Sequence, residues 1–153
     1  MSKKPLYKFD VPTTADHFLT FRVWSDIDTL RSVVTPRHPE WSGDEYLACY
    51  LGTRWRYDVK SNGTSTLKSK KLGEIHLAEG EFGVGIVSHE IQHFINSWID
   101  HLYDTLVNWP KKPKTFRPTD EPHNEDIAYL AGHINRVFWE RYYSLTGKDG
   151  NNP

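Results

Sequence analysis

From Gly83 to Val107 the apolar residues recur at helical spacing with no proline among them, and inside this stretch stand His89-Glu90-Ile91-Gln92-His93. This run constrains the fold more than any other, because a long helix with one apolar side must bury that side against something. Stepping about 100° per residue, Val84, Val87, Ile91, Phe94, Ile95, Trp98 and Leu102 gather on one side. His89, His93, Asn96 and Asp100 share a narrow arc on the other. Residues four apart on a helix are neighbours about 6 Å apart, so two imidazoles at this spacing can bind one zinc ion without backbone strain. Glu90 then projects beside the ion, placed to accept a proton from the water that the ion activates. The plainer alternative is an amphipathic surface helix with two solvated histidines. Ile86, Val87, Ser88, Ile91, Gln92, Phe94 and Ile95 carry no charge, which fits a helix buried on one side and turned towards a metal on the other.

A chain of 153 residues is expected to form one domain, here residues 1–146, with residues 147–153 as a flexible tail. Six tryptophans in so short a sequence imply a thin core built from large rings. A net charge of −1 supplies no general basic field, so neither nucleic acid nor a membrane is expected as a partner. The basic runs from Lys68 to Lys71 and from Lys111 to Arg117 are short and need not share a face. The one cysteine, Cys49, makes no internal disulfide and reads as a core thiol between Tyr46, Leu47, Ala48, Tyr50 and Leu51. Met1-Ser2-Lys3-Lys4-Pro5 has no apolar segment behind its lysines, as a secretory signal needs, and no apolar run nears the ~20 residues that span a bilayer. A soluble, cytoplasmic protein is the expectation.

His17 to Trp24 alternates apolar and polar residues and reads as a strand. Ser25 is placed to cap a short helix through Leu30 to Val34, which Pro36 and Pro39 end. After a loop with His38 and Trp41, a second strand is expected from Tyr46 to about Tyr57, then a turn at Ser61-Asn62-Gly63-Thr64 compatible with a hairpin. Lys71 to Leu77 reads as a strand leading into the HExxH helix, with His76 in a structural or solvated role. Residues 110–122 hold four of the nine prolines and read as a loop, before a closing helix from Asn124 to about Leu145.

Two histidines hold zinc weakly, and catalytic sites have three protein ligands plus water. The downstream candidates are Glu125, His123, His133, Asp100 and His101. Asp100 and His101 lie about two turns past His93, roughly 11 Å along the axis, too far to share its ion. Asp100 and Asn96 are better explained as polar contacts to a partner helix. Glu125 is the leading candidate, since Ala128 and Gly132 on its side of the last helix would let two helices approach closely. It also suits a first-turn acid favoured by the helix dipole.

HEIQHF followed by NEDIAYLAGHI resembles the gluzincin branch of the zincins, where a glutamate on a later helix completes a two-His, one-Glu zinc site. More narrowly, a small HExxH domain followed by ExxAYLxG is similar to uncharacterised metallopeptidases carried by bacteriophages. The resemblance covers roughly Lys71 to Leu145, and the first 70 residues match only loosely. It implies Glu125 as the third ligand, and a strand before the HExxH helix that forms the sheet edge lining the cleft and pairs with extended peptide. It also implies the cytoplasm of a host cell if the chain is phage-encoded. The larger thermolysin-like gluzincins show NExxSD instead, so their substrate-binding residues do not carry over.

These readings converge on an α+β zincin-like domain. Its short mixed or antiparallel sheet packs on the HExxH helix and on a C-terminal helix bearing the third ligand. One zinc ion would be held by His89, His93 and Glu125, with Glu90 as general base in the hydrolysis of a protein or peptide. Tyr129 and His133 are the candidates for an oxyanion partner. The alternative is a non-catalytic, zinc-stabilised, phage-type protein that binds a host protein. A fourth protein ligand at His123, His133 or His76 would favour it, since closed structural sites have four.

Overall fold

The computed structural model describes residues 3–14, 16–62, 65–107 and 121–148, and of these the side chains other than 14, 59, 65, 66, 101–107 and 121–126. Strands β1 (Tyr7–Thr14) and β2 (His17–Trp24) form an antiparallel hairpin. β2 pairs in parallel with β6 (Lys71–Ala78), whose other side pairs antiparallel with β3 (Ala48–Gly52), giving the order β1-β2-β6-β3. β4 (Tyr57–Val59) and β5 (Ser65–Leu67) make a separate two-stranded sheet. With helices α1 (Ile27–Val34), α2 (Val84–Val107) and α3 (Glu121–Thr146), the fold is α+β with a mixed sheet.

Alternation decides which face each strand buries. Leu19, Phe21 and Val23 of β2 join Ile75 and Leu77 of β6 against Val87, Ile91, Phe94 and Ile95 of α2 and Ile134, Val137 and Phe138 of α3. Each such fully buried side chain contributes about 1.5–3 kcal/mol, so this face dominates the stability. On the opposite face Leu30 and Val34 of α1 pack against Trp24, Cys49 and Ala78. The sheet is thus covered on both sides, and its central strands are buried almost throughout. Among the described residues no helix is long and apolar enough to cross a membrane.

Five details differ from the sequence expectations. α3 begins at Glu121 rather than Asn124, so Glu121 and Pro122 belong to the helix and not to the loop, since proline is tolerated in a first turn. β1 is an additional strand, in which Tyr7, Phe9 and Val11 alternate with exposed Lys8 and Asp10. The helix cap is Asp26 rather than Ser25, because the Asp26 carboxylate accepts the backbone N–H of Thr29 at 2.7 Å while Ser25 donates to that same carboxylate. The strand expected from Tyr46 to Tyr57 is interrupted after Gly52, where residues 53–56 leave the ladder. Trp55 Nε1 there donates to the Leu72 carbonyl at 2.9 Å. Finally, β6 is an interior strand, and the edge beside α2 is β3.

A polar chain, buried at Trp24 and His76 and partly exposed at Arg22, Glu74 and Lys71, fixes β2 against β6. Arg22 donates through Nε and Nη2 to the two oxygens of Glu74, both at 3.0 Å, and Lys71 donates to the same carboxylate. Trp24 Nε1, which can only donate, gives its proton to His76 Nδ1 at 3.0 Å. His76 Nε2 therefore carries the ring proton and donates it to Glu74 Oε2 at 2.9 Å. Burial pushes the His76 pKa down against the opposing pull of Glu74, so the neutral ring is favoured. The bonds from His76, Arg22 and Lys71 hold the Glu74 carboxyl well below the usual range despite its partial burial.

Candidate metal centre

α2 puts the two histidines where the wheel predicts. Val87, Ile91, Phe94 and Ile95 are buried against the sheet, which turns His89 and His93 out to the surface. Val84, placed on the same apolar side, is instead exposed at the start of the helix. The Nε2 atoms of His89 and His93 converge to 3.1 Å, with the ring planes at 87°. Two nitrogens at about 2.0–2.1 Å from one tetrahedral ion stand about 3.3 Å apart. The separation is within a few tenths of an ångström of that spacing, and in the structure the contact is a hydrogen bond between the two rings.

Glu90 lies between these histidines and the sheet edge, only 6% exposed. Burial pushes its carboxyl above the ordinary range, opposed by the His93 and His89 rings and by the backbone N–H of Tyr50, which donates to it. Sequence reasoning missed the role of Tyr50, since nothing along the chain shows that a main-chain donor of β3 will meet the HExxH glutamate. Tyr50 is itself held by a glycine. A Cβ at Gly73 would fall 2.6 Å from Tyr50 Cε2 and 2.9 Å from the Leu51 carbonyl oxygen, so only glycine lets the Tyr50 ring lie across β6. The ring then packs edge-on against Phe94 of α2, centroids 6.1 Å apart.

A groove of about 510 Å³ opens beside this constellation. α2 contributes Ile86, His89, Glu90, His93 and Ser97, and the facing wall is Trp41, Asp44 and residues 46–50. α1 anchors that wall, because Arg31 donates through Nε and Nη2 to the Tyr46 carbonyl at 3.2 and 3.0 Å. Trp41 stacks on His38 at 4.6 Å and meets Tyr46 edge-on at 5.7 Å, giving the groove an aromatic side. The Cys49 thiol is buried, and burial with the nearby Glu90 charge pushes its pKa up to about 12. It stays protonated, as a core thiol does.

The remaining candidates divide. His76 is fully buried with both ring nitrogens engaged by Trp24 and Glu74, so it is structural. His133 Nε2 lies 3.0 Å from the Pro12 carbonyl of β1, the strand at the opposite edge of the sheet from the groove. Tyr129 is 73% exposed. Asn96 accepts from Gln92 on its own helix at 2.9 Å. Close approach of the helices through Ala128 and Gly132 does not occur. Both are exposed, and a Cβ at Gly132 would meet nothing within 4 Å. α3 instead meets α2 through its larger apolar residues and a bond from Ser88 Oγ to Asn135 Oδ1 at 3.0 Å. Glu125 falls within α3, but its side chain, like those of His123 and His101, lies outside the described residues. Among the described residues no group of three His, Cys, Asp or Glu side chains is gathered for a metal.

Compared with family models, with curated proteins and with solved structures, the chain matches none.

Proposed function

We propose that the chain is a zinc-dependent hydrolase of the gluzincin type that cuts a protein or peptide. The observation that carries this reading is the convergence of His89 and His93 Nε2 to 3.1 Å beside a buried glutamate on the wall of an open groove. His89 and His93 hold one zinc ion, with Glu125 as third ligand on the strength of the NEDIAYLAGHI resemblance. When bound, the ion lowers the pKa of water towards ~7 and polarises a carbonyl.

Glu90 takes the proton of the attacking water and passes it to the leaving amine. Burial raises its proton affinity, as suits a group that must accept a proton and then release it. β3 is the outer strand on the groove side, so an extended peptide can lie along it and be held by main-chain bonds. A purely structural zinc site calls for a fourth protein ligand. Two of the three histidines available for that part, His76 and His133, are bonded elsewhere, which supports the open, hydrolytic reading.

Glu90→Gln tests this directly. It preserves size and an acceptor for the Tyr50 N–H while removing the base. Zinc content and fold should be retained while cleavage of a peptide library drops 10²- to 10⁴-fold, the usual contribution of a general base. Undiminished cleavage by a zinc-loaded variant would remove Glu90 from the mechanism and the peptidase reading with it.

A further inference from the structure

A second groove, of about 500 Å³, is lined by Thr53, Ser69 and five cationic side chains, Arg54, Arg56, Lys68, Lys70 and Lys71. Two of the five are already matched. Lys68 pairs with Asp58 at 3.2 Å, and Lys71 with Glu74. Among the described residues the exposed side chains of Arg54, Arg56 and Lys70 have no acidic partner. Like charges crowded around a concavity repel one another and are relieved by an anion between them. The fold brings them together by sending the chain out of the sheet after Gly52 and back to it at Lys71.

The segment that forms this groove continues the wall of the first one. Residues 46–50 line the candidate metal centre, and residues 53, 54 and 56 line the basic groove. Tyr50 and Thr53 are three residues apart, at most about 11 Å in an extended chain. A peptide lying along β3 past Glu90 and continuing beside residues 53–56 would meet the cations three or four residues from the bond to be cut.

We infer that the basic groove docks an acidic segment of the polypeptide that enters the metal-centre groove, so that the substrate carries Asp or Glu on one side of the cleavage point. The inference rests on the peptidase reading for the word substrate, and on the charge and geometry alone for the docking. A carboxylate-rich peptide fits better than nucleic acid. With a net charge of −1 the chain as a whole adds no attraction for a polyanion, and three unmatched cations address only a few charges.

The test uses the full chain and two fluorescent octapeptides alike except that four glutamates in one are glutamines in the other. Binding is followed by anisotropy, and cleavage by mass spectrometry. The Glu peptide should bind about tenfold more tightly at low salt, the combined size of a few exposed ion pairs. The advantage should shrink at high salt. Arg54→Glu/Lys70→Glu should abolish it, and Arg54→Gln/Lys70→Gln should reduce it, with zinc content unchanged in both. Equal binding of the two peptides, or an advantage that survives both double variants, overturns the inference whether or not the peptides are cut. Tighter binding of an oligothymidylate of equal charge overturns it in favour of nucleic acid. If the Glu peptide binds preferentially and the zinc-loaded protein cuts neither peptide, the docking site stands and the peptidase reading falls.

Discussion

Replacing His76 by Phe should convert one buried polar link into a measurable pH signature. The aromatic stack on Trp24, now 5.8 Å between centroids at 16°, can be kept by the new ring. Two hydrogen bonds cannot. Trp24, only 2% exposed, would hold an N–H with no acceptor, and Glu74 would lose one donor while retaining Arg22 and Lys71. An unmet buried donor costs about 1–3 kcal/mol and a lost bond to a charged group a similar amount, offset in part by burying an apolar ring, for a net loss of about 2–3 kcal/mol at pH 8. The folded His76 pKa is depressed below its ordinary 6.5. The unfolded chain therefore binds the proton first, and stability from this residue is complete above that value and lost as pH falls. The loss is at most about 1.4 kcal/mol per pH unit, or up to about 2 kcal/mol by pH 5. Urea unfolding at pH 8, 6.5 and 5 should show the wild type ahead at pH 8 and the two proteins converging near pH 5. A constant gap across the range, or no gap at pH 8, would refute the neutral, doubly bonded His76. Glu74 adds a second stage, because its depressed pKa withdraws stability only below about 4.5, the ordinary glutamate value.

Metal analysis should give about one zinc per wild-type chain and far less in His93→Ala. Glu125→Ala should weaken zinc retention much more than Asp100→Ala, whereas loss of zinc in Asp44→Asn with Glu125→Ala still loaded would move the third donor to the groove wall. Gly73→Ala should cost about 1–3 kcal/mol in urea unfolding, the usual size of an overpacked core site, because its new methyl meets both Tyr50 and the Leu51 backbone. It should also slow peptide cleavage by shifting the Tyr50 N–H away from Glu90; wild-type stability and rate would show that the close approach is not needed.

The elements nearest the proposed chemistry were readable because local rules govern them. The 3.6-residue period gave α2 to within a residue of its start, and alternation gave β2 from His17 to Trp24. What escaped depends on pairings between distant segments. The interior position of β6 follows from β2 pairing on one side and β3 on the other, a choice that KLGEIHL does not announce by itself. His76, Trp24 and Arg22 meet only because strands 52 residues apart lie in parallel register. Lys68 to Lys71 is a short basic run in the sequence, and only the fold brings Arg54 and Arg56 round to the same groove. The close helix contact through Ala128 and Gly132 failed for a different reason. Small residues permit an approach, but burying Ile134, Val137 and Phe138 determines which side of α3 turns inward.

The excursion between β3 and β6 leaves and re-enters the sheet at neighbouring points, since Gly52 faces Gly73 in the ladder. The β4–β5 hairpin within it has no ladder to the main sheet. Two side chains of this insert are tied to the body of the fold: Trp55 donates to the Leu72 carbonyl and meets Trp98 of α2 edge-on, and Leu67 packs against the core. The exposed Arg54, Arg56, Lys68 and Lys70 carry no core packing. Drift or deliberate change at those four positions can therefore rewrite what the proposed docking groove grips while β6, α2 and the histidine pair stay in place.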